Sequence, residues 1–152
     1  MNRTKESWGK VVALTIAGGL GFWLANFAIS RTPIAEEYRA GLSISYVPML
    51  LEAIFGGLII GFCVSFGLVR FFDKIPSKNE IFKSLLLSFV ALIIVTIVVE
   101  VPAKFFTPTN NALHYFLIGA LFNMLRILAL GLVIGYLYKR LYKENYSSKT
   151  AS

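Results

Sequence analysis

Residues 50–62 read LLEAIFGGLIIGF, twelve residues suited to hydrocarbon and one carboxylate, Glu52. Residues 124–136 read MLRILALGLVIGY, and a shift of 74 positions lays them on the first stretch with Arg126 over Glu52. The same shift aligns Leu51, Gly57, Leu58, Ile60 and Gly61 with Leu125, Gly131, Leu132, Ile134 and Gly135. Each stretch lies inside a longer apolar run, so each charge is placed where water is scarce and an answering charge is needed.

The rest of the chain has the same character. Hydrophobic residues make up 57% of its 152 positions and charged ones only 15%, against about a quarter charged in an ordinary soluble domain. Lipid is therefore the expected solvent for most of the chain. Four runs approach or exceed the ~20 residues that cross a bilayer as a helix, at 11–30, 46–69, 84–101 and 113–138. The expected fold is a single all-α integral membrane domain of four transmembrane helices. Between the runs, RTPIAEEYRAG (31–41) reads as a short interfacial helix, FDKIPSKNE (72–80) as a polar linker and TPTNN (107–111) as a turn.

A net charge of +7 would point to nucleic acid in a soluble protein, but in a membrane protein basic residues fix orientation, so no nucleic-acid partner is expected. Eleven of the fifteen basic residues fall on one side: Arg3, Lys5, Lys10, Arg70, Lys74, Lys78, Lys83, Lys139, Arg140, Lys143 and Lys149. Only Arg31, Arg39 and Lys104 fall on the other, which predicts a cell-membrane protein with both termini cytoplasmic. A cleaved signal peptide is the competing reading of the first run, whose apolar body exceeds the ~7–15 residues usual for one. Cys63 is alone and reads as a small buried hydrophobe, and His114 is the one histidine, so neither a disulfide, a metal site nor a cofactor is expected.

The matched segments predict a tandem repeat of two-helix hairpins, with halves at 10–72 and 84–142. Two spans per unit return the chain to its starting side, so the halves should be related by a pseudo-two-fold axis along the membrane normal. Glu52 and Arg126 would then share a depth and form an ion pair across the axis. Asn26, Glu100, His114 and Asn123 fall in the outer halves of their spans, and Asn123 shares a helical face with Arg126. The inner halves hold little polar beyond Thr15, Ser65 and Ser88.

Small residues recur at every fourth position as Ala53, Gly57, Gly61, Ser65 and as Ala13, Ala17, Gly21, Ala25, with a shorter Gly131, Gly135 pair. Such ladders let helix backbones touch, which drives association in lipid. The third run is bulky and β-branched almost all round, as a helix facing lipid or a partner subunit would be.

Catalytic spacing is missing from the sequence, with no HExxH and no Cys–His pairing, so an enzyme is not expected. The sequence favours a transporter-like or solute- or ion-binding protein with a polar site open to the non-cytoplasmic side. Its partners would be lipid, a small polar or charged solute, and a second copy or larger membrane complex. The alternative is an accessory or scaffold subunit in which Glu52 and Arg126 serve only as structural glue.

Overall fold

The structure is a computed structural model that describes residues 2–106, 108 and 110–150, with side chains for 7–106, 108 and 110–141. Thr107 and Thr109 of the expected turn, and the side chains of Arg3, Lys5, Lys143 and Lys149, lie outside the described residues. The helices are α1 (Asn2–Ser30), α2 (Pro33–Gly41), α3 (Tyr46–Phe71), α4 (Glu80–Val95), α5 (Val101–Phe105) and α6 (Ala112–Thr150). A π-helical turn, Thr96–Glu100, joins α4 to α5. Four stretches are long and apolar enough to cross a membrane: Ser7–Ser30, Tyr46–Lys74, Glu80–Phe105 and Ala112–Leu141. Each of the four apolar runs read from the sequence lies within one of them.

Local chemistry sets the breaks. Thr32 caps α2, its hydroxyl accepting the Ala35 N–H at 3.3 Å, and Pro33 opens the helix where no N–H is needed. After Gly41 the chain turns back through Ser43 at φ 54°, in the left-handed region. Asn79 caps α4 by accepting the Ile81 N–H at 3.0 Å. Near the other end of that span the Val101 N–H reaches back five residues to Thr96, and Pro102, which has no N–H, follows at once. The extra residue in that turn rotates everything beyond it, including Lys104, relative to the face that α4 presents.

Glycine contacts show the spans running antiparallel. On α3, Gly57 lies against Gly19 and Phe22 of α1, and Gly61 against Thr15. On α6, Gly131 lies against Leu85 and Ser88 of α4, and Gly135 against Ile81 and Ser84. The Ser84 hydroxyl also donates to the Gly131 carbonyl at 2.8 Å. Gly18 and Gly21 bring α1 onto Ile134 and Val133 of α6. Thus α1 stands between α3 and α6, with α4 on the other flank of α6. We call the end carrying α2 and the 106–111 connection the loop end, and the opposite one the terminal end. At the terminal end Lys83, though 5% exposed, donates to the Phe72 carbonyl at the end of α3, and the Phe72 ring stacks on Tyr138 at 5.1 Å.

The α3 ladder of Ala53, Gly57, Gly61 and Ser65 is buried throughout. Of the expected α1 ladder Gly21 packs on Val133 of α6 and Ala13 is exposed, while the adjacent Gly18 and Gly19 let the helix meet α6 and α3 at once. Cys63 is exposed, on the flank of α3 away from the ladder, rather than buried. The apolar outer surface is large: Leu24, Phe55, Ile59, Ile94, Val98 and Leu132 are each about half exposed or more.

The two hairpins close alike but in different register. A 74-residue shift carries Gly19–Phe22 onto Ile93–Thr96, yet the residues lying against Gly131 are Leu85 and Ser88, about two helical turns away. Between contacting residues the second hairpin, Leu85 to Gly131, is eight positions longer than the first, Gly19 to Gly57, because its helices run further before the chain turns, out to Phe105 and back from Ala112.

Candidate functional site

The candidate site lies at the loop end, where α2 folds back over the bundle. Ala35, Tyr38 and Leu42 repeat at helical spacing and turn one face inward, packing with Phe122, Tyr115 and Ile118 of α6. The Tyr38 ring meets Phe122 edge-on at 5.6 Å. Beneath this roof is a cavity of about 50 Å³, whose polar lining comes from Asn26 and Ser30 of α1, Tyr38 and Arg39 of α2, and Arg126 of α6. Ile29, Ile44, Met49 and Phe122 supply its apolar walls.

The lining is mostly apolar, and its few polar groups are mainly donors. Asn26 is 1% exposed and its side-chain Nδ2 has no hydrogen-bond partner. The Nε of Arg126 is likewise buried and without one, and the guanidinium stands 6.0 Å from the Phe22 ring centre and 5.8 Å from that of Phe122. Arg39 donates through Nη1 to the Ser30 carbonyl at 3.0 Å, closing the C-terminus of α1, and lies over the Tyr46 ring.

Beside the cavity the π turn delivers Glu100 to α6. Its Oε1 accepts from Asn123 Nδ2 at 2.8 Å, and Oε2 lies 3.7 Å from the Lys104 ammonium. Only 12% of the Glu100 side chain and 8% of the Lys104 side chain are exposed. The pair is thus withdrawn from water and internally neutral, while Arg126 and Arg39 leave the adjoining cavity positive. Burial holds the Tyr38 phenol above the ordinary tyrosine value of 10.0, against the opposing influence of a hydrogen bond with Lys104, so at neutral pH it is uncharged.

Gly119 makes this convergence possible. A Cβ there would sit 2.6 Å from Glu100 Oε2 and 2.9 Å from the Tyr38 hydroxyl. Gly119→Val is expected to expel the Glu100 carboxylate from Asn123 and to lower the melting temperature in detergent by several degrees, consistent with a cost of about 1–3 kcal/mol for overpacking. An unchanged melting temperature would mean that the close approach is dispensable.

Of the six polar residues singled out from the sequence, Asn26, Glu100, Asn123 and Arg126 come together here. The other two do not. His114 is exposed, with Nε2 3.4 Å from Glu37 Oε1, an outer clasp between α6 and α2. Glu52 is exposed on α3 beside Leu51. The expected Glu52–Arg126 ion pair is not formed, and among the described residues no carboxylate lies at ion-pairing distance from Arg126. The tight face of α3 packs on α1, and the one-residue step from Ala53 carries Glu52 about 100° round the helix, onto an exposed face.

Tyr38, Arg39 and Lys104 escaped the sequence reading as site residues. In the sequence the two cations read as orientation charges, although the spacing of Ala35, Tyr38 and Leu42 marks α2 as a helix with a face to bury. Gly21, Gly57, Gly61, Gly131 and Gly135, singled out as packing residues, each have a neighbouring helix within 3.2 Å of where a Cβ would stand. No family model, no curated protein and no solved structure matches this chain.

Proposed function

We propose that this chain is a non-enzymatic, multi-pass cell-membrane protein that takes up an anion in the cavity under α2, in a transporter-like or solute-binding role. Both termini are assigned to the cytoplasm on the distribution of basic residues, which opens the cavity to the opposite side. One observation carries the reading: Arg126 lines the cavity with a buried Nε that has no hydrogen-bond partner, and among the described residues no carboxylate stands at ion-pairing distance from it. A cation in the middle of a span opposes insertion by about 2.5–3.5 kcal/mol, and an anionic guest would offset that cost. Asn26, buried with an idle amide on the same cavity, favours the same guest. Assembly into a homo-oligomer or larger complex is part of the proposal, supported by the exposed β-branched run from Ile93 to Val99.

The accessory-subunit alternative drew its internal glue from Glu52 and Arg126, and the exposed position of Glu52 removes that support. The proposal is tested by thermal unfolding of the purified protein in a nonionic detergent across a panel of inorganic and organic anions. The parent should be stabilised by at least one of them. Arg126→Gln should lose that stabilisation and Arg126→Lys should keep part of it. A parent indifferent to every anion, or an Arg126→Gln variant that responds as the parent does, contradicts the reading.

A further inference from the structure

Resting on that anion-binding reading, we infer that the guest is amphiphilic: one phosphate-like oxoanion group enters the cavity while an apolar body stays outside against the bundle. Size is the first argument. At about 10–15 Å³ per water-sized site, a cavity of about 50 Å³ holds a few waters or a single oxoanion group, not a whole metabolite. The remainder of any larger ligand must therefore lie beyond the lining.

Chemistry is the second argument. The polar lining offers N–H and O–H donors from Asn26, Tyr38, Arg39 and Arg126, whereas the nearby carboxylate of Glu100 is held by Asn123 and Lys104. Such a set fits an acceptor with several oxygens around one centre. The guest's surroundings are the third. Ile29, Ile44, Met49 and Phe122 flank the polar groups, and Val47, Leu121 and Leu125 on the same helices are 43–64% exposed on the outer surface of the bundle. An alkyl chain reaching from the cavity to these residues would find apolar surface. A headgroup from the bilayer and an alkyl phosphate from solution share this chemistry, whereas free phosphate has only half of it.

The test titrates the full chain in dodecyl maltoside with inorganic phosphate and with hexyl, octyl and decyl phosphate, followed by calorimetry, for the parent, Arg126→Gln and Asn26→Ala. Affinity should rise along the alkyl series by up to about fourfold per methylene, with inorganic phosphate weakest. Arg126→Gln should weaken every alkyl phosphate at least tenfold, and Asn26→Ala severalfold. Inorganic phosphate binding as tightly as decyl phosphate, with both dependent on Arg126, overturns the amphiphile and leaves the anion site standing. Chain-length dependence that is the same in all three proteins is partition into detergent and overturns both. Should Arg126→Gln fail to fold, Asn26→Ala alone decides, since an unchanged affinity there removes the cavity as the seat of the oxoanion.

Discussion

Glu100→Leu is expected to be among the most damaging single changes in this protein, because it takes the carboxylate from Lys104 and the acceptor from Asn123 in one step. Removing one member of a buried ion pair costs about 3–5 kcal/mol, a large share of the stability of a domain this size. Most of that cost is the stranded Lys104 charge rather than the lost attraction. A second change, Lys104→Met, made in the Glu100→Leu background should therefore recover more than half of the loss. Glu100→Gln keeps an oxygen for Asn123 and should fall between the two. Unfolding by denaturing detergent, with the double-mutant coupling computed from the four proteins, provides the check. A double variant as unstable as Glu100→Leu would show that the pair is not what makes Glu100 costly to lose.

The second large effect belongs to the helix interface and comes with its own control. A Cβ at Gly135 would lie 2.7 Å from the backbone Cα of Ile81, an atom that can move only if α4 moves. Gly135→Leu should therefore prise α4 from α6 and cost at least the ~1–3 kcal/mol of ordinary overpacking, seen as loss of the folded peak in size-exclusion chromatography. Gly56 has nothing within 4 Å of its Cβ position. Gly56→Leu should elute as the parent does, and with a higher helix propensity than glycine it should not reduce helix content. Equal damage from both substitutions would mean that any bulky residue, rather than this contact, disturbs the bundle.

These two predictions separate what the sequence discloses from what it hides. Four crossing helices are legible because about twenty apolar residues in a row have few alternatives to spanning lipid. The α3 ladder is legible because every fourth residue returns to one face. Asn26, Glu100, Asn123 and Arg126 are legible as a group because a polar residue in an apolar span needs polar company. Depth follows from counting along a helix, but azimuth does not, and that is where Glu52 departs. One residue from a buried ladder, it looks inward by depth and outward by angle. The matched segments mislead for a related reason: the shift that lays α3 on α6 does not carry the residues against Gly57, Gly19 and Phe22, onto those against Gly131, Leu85 and Ser88. The presence of Glu100 beside Asn123 depends on the π turn before Pro102, a local change in hydrogen bonding that hydropathy does not register.

With α2 as roof, the cavity at the loop end has two guanidinium groups, Arg39 and Arg126, among its lining residues, while the Glu100–Lys104 pair beside it is already neutral. The site therefore has a definite sign, and that sign belongs to Arg126. The most direct measurement is equilibrium binding of decyl phosphate to the purified parent, Glu52→Gln and Arg126→Gln under one set of conditions. The account predicts that Glu52→Gln binds within twofold of the parent and that Arg126→Gln binds at least tenfold more weakly. Equal weakening by both substitutions would make Glu52 and Arg126 a working pair and contradict it.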